Sequence, residues 1–149
     1  MQLRVLGISN ETWLSYQNAF IFFINKLKLR NLLYDRKVTI SFRRLRKKHG
    51  YAVIPEHRNP DIKRLVKDFY IGICKTKTRK LKTLAIAHEL VHVKQYLTGK
   101  LRYVGRHQHL VYWKESNLGR LSDIPYDDQP WEKEAYKKSD ELLEEYERI

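Results

Sequence analysis

The sequence predicts an α+β fold, in which a small mixed or antiparallel sheet packs on a long helix and a second helix follows near the C-terminus. Three observations support this prediction. Val38–Arg43 alternates apolar and polar side chains, as a half-buried strand does. Apolar residues recur at helical spacing from about 79 to 98, and Gly99 follows where a helix would end. A second helical pattern covers about 130–147.

The N-terminal part of the chain is predicted to begin with a short strand at Leu3–Ile8. A helix follows at about 11–30, with Ser9 or Asn10 near its cap. After the strand at Val38–Arg43, Gly50 gives a turn into Tyr51–Ile54, which predicts a hairpin between these two strands.

The middle of the chain is predicted to contain a short helical turn at Asp61–Lys67 and another strand at Phe69–Lys75. Beyond the long helix, Arg102–Trp113 has the pattern of a strand or of irregular structure. The segment 114–130 contains Gly119, Pro125 and Pro130, and a loop is expected there.

The length of 149 residues suits a single domain, 1–149, with a core of its own. The single cysteine, Cys74, excludes an intramolecular disulfide and lies in an apolar run, which indicates a buried thiol. The apolar run 19–24 is too short to span a bilayer and has no cleavage site typical of a signal peptide. These features predict a cytoplasmic protein that is neither secreted nor bound to a membrane.

The charge is large and unevenly distributed. The formal net charge is +13; residues 1–85 carry 20 basic and 5 acidic side chains, whereas residues 86–149 carry 10 and 12. The densest basic run is Arg43–His49. A basic N-terminal half predicts non-specific contact with nucleic acid, although a solubilising surface or a patch for an acidic protein explains it equally well.

The most specific feature is H-E-L-V-H at His88–His92, an H-E-x-x-H motif. Side chains at i and i+4 of a helix lie on one face, so both imidazoles can reach one metal ion. Glu89 lies beside them, where its carboxylate can take a proton from a water on the metal. A metal such as Zn²⁺ lowers the pKa of such a water to about 7. The pattern therefore indicates hydrolysis, beyond metal binding alone.

Two histidines do not complete a catalytic zinc site, which usually has three protein ligands and one open position. Candidates for the third ligand are His107, His109 and the carboxylates of the segment Pro130–Tyr136, which are Glu132 and Glu134.

H-E-L-V-H followed by P-W-E-K-E-A-Y at 130–136 resembles the small gluzincin-type metallopeptidases, including ones encoded by bacteriophage genomes. The resemblance covers about residues 80–140. It implies a zincin-like fold, a Zn²⁺ cofactor, and a glutamate ligand in an E-x-x-A pattern that Glu132 and Ala135 match. A small alanine lets two helices approach closely. For a phage-encoded chain, the resemblance implies the host cytoplasm or the virion as its location.

The chain departs from the family pattern at Tyr136, where many gluzincins have an acidic residue or asparagine that orients a ligand histidine. Ligand histidines usually need such a partner. Asp123, Asp127 and Asp128 are the candidates for this role, and Glu134 remains an alternative third ligand.

A rival hypothesis uses His107, which follows His92 by 15 positions. This separation resembles that in Spartan-type proteases, which use three histidines and digest proteins crosslinked to DNA. The segment 106–112 alternates like a strand, so His107 and His109 would point to the same face.

These inferences predict a zinc metalloendopeptidase that acts on a protein or peptide substrate, with Glu89 as its general base. Tyr112, Tyr126, His107 and His109 are unranked candidates for the donor that stabilises the oxyanion. An extended substrate could add to a sheet edge supplied by Phe69–Lys75 or the segment near Tyr51. The alternative from another class is a nucleic-acid-associated or virion-associated binding protein with a structural zinc.

Overall fold

The computed structural model describes residues 1–46, 50–53, 68–104 and 110–149, and for 51–53 only the backbone. The predicted helical turn at 61–67 therefore lies outside the described residues. Three α-helices and two sheets occupy the described ranges, which confirms the α+β class. The helices are α1 (Asn10–Lys26), α2 (Arg79–Leu97) and α3 (Pro130–Glu147). The strands are β1 (Gln2–Leu6), β2 (Lys37–Arg43), β3 (Gly50–Val53), β4 (Asp68–Cys74), β5 (Leu101–Val104), β6 (Leu110–Trp113) and β7 (Ser116–Arg120).

The larger sheet is mixed and has the strand order β1-β2-β4-β3. Strands β1, β2 and β4 run parallel, with Val38 opposite Phe69 and Ile40 opposite Ile71. Helix α1 connects β1 to β2, as a parallel pair requires. Strand β3 lies at one edge of this sheet and pairs antiparallel with β4.

The predicted hairpin between β2 and the segment near Tyr51 is wrong. Strand β2 is flanked on one side by β1 and on the other by β4, so both of its hydrogen-bonding edges are occupied. Strand β3 therefore pairs with β4, where Tyr51 lies opposite Gly72. Strand β4 is interior as a result, and it cannot supply the free sheet edge that was one of the two expectations.

The main core lies where the three helices pack on one another and on the larger sheet. Helix α2 is the most enclosed of the three, since apolar residues on several of its faces are buried. Several of the largest wholly buried side chains of this core come from α1, β2, β4 and α2: Phe20, Phe23, Ile40, Phe69, Ile71, Ile86 and Leu90. A helix so enclosed can hold polar side chains only if each has a partner.

Helices α2 and α3 occupy the predicted ranges, whereas α1 ends at Lys26 instead of near 30. Lys28 adopts a positive φ of 57°, which turns the chain, and Leu29 and Leu33 are then fully buried. Cys74 is buried in β4, as predicted, and its thiol donates to the Leu45 carbonyl at 3.6 Å.

The smaller sheet is an antiparallel meander of β5, β6 and β7, which covers a second core of Leu101, Val111, Trp113 and Trp131. The predicted loop at 114–130 is wrong at its start, because Ser116–Arg120 forms β7. Lys114 and Glu115 form the turn before it, both at positive φ. Two-residue hairpin turns usually contain Asn-Gly or Asp-Gly, so the pair Lys114-Glu115 does not predict a turn from sequence.

None of the helices in the described ranges has the length and apolar content that a bilayer crossing requires.

Gly7 and Gly119 provide a matched test of the β1–β2 packing. Their φ angles are 87° and 88°, so alanine is strained by about 1 kcal/mol or more at either position. A Cβ on Gly7 would also lie 2.1 Å from the Phe42 carbonyl oxygen, whereas one on Gly119 would meet nothing within 4 Å. In urea denaturation, G7A should lower the free energy of unfolding by at least about 2 kcal/mol more than G119A. Equal losses would contradict the close contact between Gly7 and β2.

Candidate metal centre

Helix α2 carries both histidines of the H-E-x-x-H motif in its second half. Thr78 caps the start of the helix, and its hydroxyl accepts from the Leu81 N–H at 3.3 Å. Its apolar residues hold it against the sheet and against α3. Because His88 and His92 are one turn apart, their rings lie next to each other, with centroids separated by 4.7 Å.

Helix α3 brings Glu132 to the same place. Pro130 occupies the first turn, where a missing N–H costs nothing, and Glu132 lies in that turn as well. Trp131 is 1% exposed and belongs to the second core, which fixes the start of the helix. Ala135 is fully buried, and its small side chain permits the close approach of α3 to the main core.

The three side chains form a triangle of potential ligand atoms. His88 Nε2 lies 3.2 Å from one Glu132 carboxylate oxygen, His92 Nε2 lies 3.1 Å from the other, and the two Nε2 atoms are 3.1 Å apart. In a tetrahedral zinc site the ligand atoms lie about 3.3–3.5 Å from one another, because the bonds to the metal are about 2.0–2.2 Å long. The described residues of this triad therefore fit a small divalent ion, and they could hold a metal.

The electrostatics of the triad match that geometry. Burial raises the pKa of Glu132, but hydrogen bonds from His88 and His92 outweigh this effect and hold the pKa well below its usual range. Burial lowers the pKa of His92, but the hydrogen bond and charge of Glu132, together with the charge of Glu89, raise it above its ordinary value. The cluster therefore contains an ionised carboxylate that favours positive charge at its centre.

Gln95 holds His92 from behind. Its Oε1 lies 2.8 Å from His92 Nδ1 and accepts the Nδ1 proton. The other ring nitrogen, Nε2, is then available to act as a metal ligand within the triad. The Gln95 amide donates to the Trp131 carbonyl at 3.0 Å and to Glu134 Oε1 at 3.2 Å. Glu134 in turn pairs with Lys100. Both N–H groups of the amide are thus engaged, which fixes its orientation.

The sequence analysis names Asp123, Asp127 and Asp128 as candidates to orient a ligand histidine. In the structure Gln95, and none of these aspartates, contacts His92. These three aspartates are exposed in the 3₁₀ turns before α3. Gln95 is one helical turn beyond His92, so its side chain lies on the same face of α2. The spacing between them is therefore a signal that the sequence contained.

Two tyrosines border the triad on its exposed side. The Tyr126 hydroxyl donates to Glu132 Oε2 at 2.9 Å and also lies 2.9 Å from the Tyr136 hydroxyl. The Tyr136 ring packs on His88, with a centroid distance of 4.5 Å. Tyr126 and Tyr136 are about half exposed, so they form the rim of the site.

Glu89 is almost completely buried, with 4% of its surface exposed, and it lies beside the edge strand β3. A Cβ on Gly50 would lie 3.3 Å from Glu89 Oε1 and 2.8 Å from the Gly72 carbonyl oxygen. The absence of a side chain at Gly50 therefore allows the β3 backbone to approach the Glu89 carboxylate.

Of the remaining candidates, Glu134 and Tyr112 are not part of this cluster. Glu134 directs its oxygens at Gln95 and Lys100. Tyr112 lies on β6 beneath the Arg102 guanidinium, at 5.0 Å from the ring centroid. Among the described residues, no hydrogen bond joins Tyr112 to the triad. His107 and His109 lie outside the described residues.

Comparison of the chain with protein-family models, with curated proteins and with solved structures gives no match. The resemblance to gluzincin-type peptidases therefore remains a prediction from the motif residues.

The two glutamates of α3 can be separated as ligands by substitution. We expect Glu132→Ala to weaken Zn²⁺ binding by at least about 100-fold, because a ligand atom is lost. Glu134→Ala removes a carboxylate two residues away and should weaken binding by less than about tenfold, through Gln95 alone. Competition with a chromogenic chelator measures both affinities. A larger effect of Glu134→Ala would contradict the triad.

The raised pKa of His92 predicts a pH dependence for the metal-free protein. Its stabilisation is complete below the usual histidine pKa of 6.5 and is lost as the pH rises through the higher folded-state value. The stabilisation from Glu132 is complete above pH 4.5 and is lost as the pH falls through its depressed pKa. The triad should therefore stabilise the metal-free fold most between about pH 4.5 and pH 6.5. Zn²⁺ affinity should rise with pH, because the metal displaces the His92 proton.

Urea denaturation of the metal-free protein at pH 5.5 and pH 8 measures this effect, with Glu132→Gln as the control. The wild type should lose more stability than the variant over this interval, since Glu132 is the main cause of the raised His92 pKa. Identical pH profiles would show that the His92–Glu132 pair does not contribute.

Proposed function

We propose that this chain is a zinc-dependent endopeptidase with a zincin-like fold. The observation that supports this most strongly is the position of Glu89. It shares a helical turn with two clustered imidazoles, it is buried, and it lies against the edge of a sheet. Hydrolysis gives a role to a carboxylate in this position, next to two imidazoles that could hold a metal.

In the proposal, His88, His92 and Glu132 hold the metal, and zinc suits this mixture of imidazole and carboxylate donors. A bound zinc ion would supply Lewis-acid chemistry, which acidifies water and polarises a carbonyl oxygen. Gln95 orients His92 for this task, since its carbonyl oxygen accepts the Nδ1 proton.

Glu89 acts as the general base and acid. Its carboxylate takes a proton from the attacking water and later donates it to the leaving amine of the cleaved peptide bond. Strand β3 and the buried face of α2 shield Glu89 from solvent, and this keeps the proton between Glu89 and the reacting groups.

The substrate is proposed to bind as an extended strand along β3. Within the described ranges β3 pairs only with β4, so its outer edge offers backbone donors and acceptors. Addition of a peptide strand there would place the scissile bond near Glu89, because Gly50 lies beside that carboxylate.

Tyr126 is the best-placed candidate for the oxyanion donor among the described residues. Its hydroxyl already reaches the triad through Glu132. Burial and the hydrogen bonds to Tyr136 and Glu132 raise the pKa of Tyr126, so this hydroxyl keeps its proton at neutral pH and can donate it in a hydrogen bond.

Substitution of Glu89 by glutamine tests the mechanism. Glu89→Gln should retain Zn²⁺ at one ion per chain, because its side chain is not a ligand in the proposal. Hydrolysis of casein or of a peptide library should fall by at least about 100-fold, since the general base is lost. The exposed Glu115→Gln, in the β6–β7 turn, is the matched control and should retain full activity. An active Glu89→Gln enzyme would overturn the mechanism.

A further inference from the structure

An open pocket of about 540 Å³ lies beside the metal centre, between the C-terminal half of α2 and the middle of α3. Its volume is in the range of ordinary ligand sites. Gln95, which orients His92, forms part of its wall, while His88, His92 and Glu132 do not line it. The pocket is therefore separate from the triad, although one residue touches both.

The lining of this pocket is strongly basic. Five lysines and two glutamates surround it, within a half of the chain that carries more acidic than basic residues. Lys100 pairs with Glu134. The other four lysines have no carboxylate within 4.0 Å in the described part of the chain; they are Lys94, Lys133, Lys137 and Lys138.

Lys137 and Lys138 have glutamates four residues away on α3, at Glu141 and Glu134, but Lys133 has none. Lys133 and Lys137 are four residues apart on α3, where like charges face each other and repel. Helix-end electrostatics favour the lysine in the last turn of α2, whereas the three lysines of α3 lie in the interior of that helix and concentrate positive charge at the pocket. An anion in the pocket would relieve this repulsion.

The donors indicate which anion fits. The described residues of the lining include no arginine, and both N–H groups of the Gln95 amide are already used by Trp131 and Glu134. Recognition therefore depends on lysine ammonium groups, which are flexible point charges without a planar fork. Such a site selects for dense negative charge more than for shape, and a run of phosphate groups has that property.

We propose that this lysine pocket binds consecutive phosphate groups, as in a nucleic-acid backbone or a free polyphosphorylated molecule. The interaction is non-specific in sequence and depends on salt. It is independent of the proposed peptidase, because none of the three triad residues lines the pocket.

The test uses the full-length chain, both zinc-loaded and after chelation. Fluorescence anisotropy with a labelled single-stranded oligothymidylate measures binding, and calorimetry with sodium tripolyphosphate measures the small-molecule arm. The variant Lys133→Gln/Lys137→Gln/Lys138→Gln changes three exposed residues. It should weaken oligonucleotide binding at least about tenfold and reduce the slope of log K against log salt by about 2.

The matched control is Lys37→Gln/Lys75→Gln/Lys77→Gln, which removes the same charge from the basic N-terminal half. It should weaken binding by less than about threefold. Tripolyphosphate bound without oligonucleotide would identify a free phosphorylated molecule as the source. No binding of either probe, or equal losses in the two triple variants, would overturn the proposal.

Discussion

The bridge that Glu132 makes between His88 and His92 is the contact on which the organisation of the site depends. One carboxylate, from the first turn of α3, reaches two imidazoles on α2. It can do so because α3 is anchored at Trp131, in the smaller core, and because buried Ala135 allows close packing. The two cores of the protein therefore meet at the candidate metal centre, and packing defines its geometry.

A helix as buried as α2 makes every polar side chain expensive. Glu89, His92 and Gln95 are all nearly inaccessible to water, yet no buried side-chain nitrogen or oxygen among the described residues is left without a hydrogen bond. Gln95 is central to this result, because its amide joins His92 to the backbone of α3 at Trp131. The same hydrogen bonds thus orient a ligand and fasten two helices together, so loss of Gln95 would disturb both.

The sequence predicts the parts of this protein that depend on local patterns. The ranges of α2 and α3 follow from periodicity, from Gly99 and from Pro130, which act within one or two turns. The i, i+4 spacing predicts that His88 and His92 are neighbours. That Glu132 would join them came from a resemblance, since nothing local indicates which carboxylate crosses 40 positions of chain to reach α2.

The errors arose where distant segments compete. Strand β3 pairs with β4 because both edges of β2 are already paired, one of them with β1. No local sequence pattern indicates this arrangement. Strand β7 depends on a turn at Lys114 and Glu115 that lacks the usual residues and is held by pairing with β6. The family pattern favours an acidic partner for a ligand histidine, whereas in this chain the neutral amide of Gln95 contacts His92 in the buried interior. A neutral partner avoids the cost of burying a further charge there.

The number of ligands in the triad bears on the choice between a structural and a catalytic metal. Structural zinc sites usually have four protein ligands, whereas catalytic sites have three and keep one position for water or substrate. The group that could hold a metal ion offers three among the described residues, and its exposed side is bordered by two tyrosine hydroxyls. A structural site would also have no need for Glu89, which is buried beside the edge strand β3. Both features support the proposal that a metal held here would serve hydrolysis.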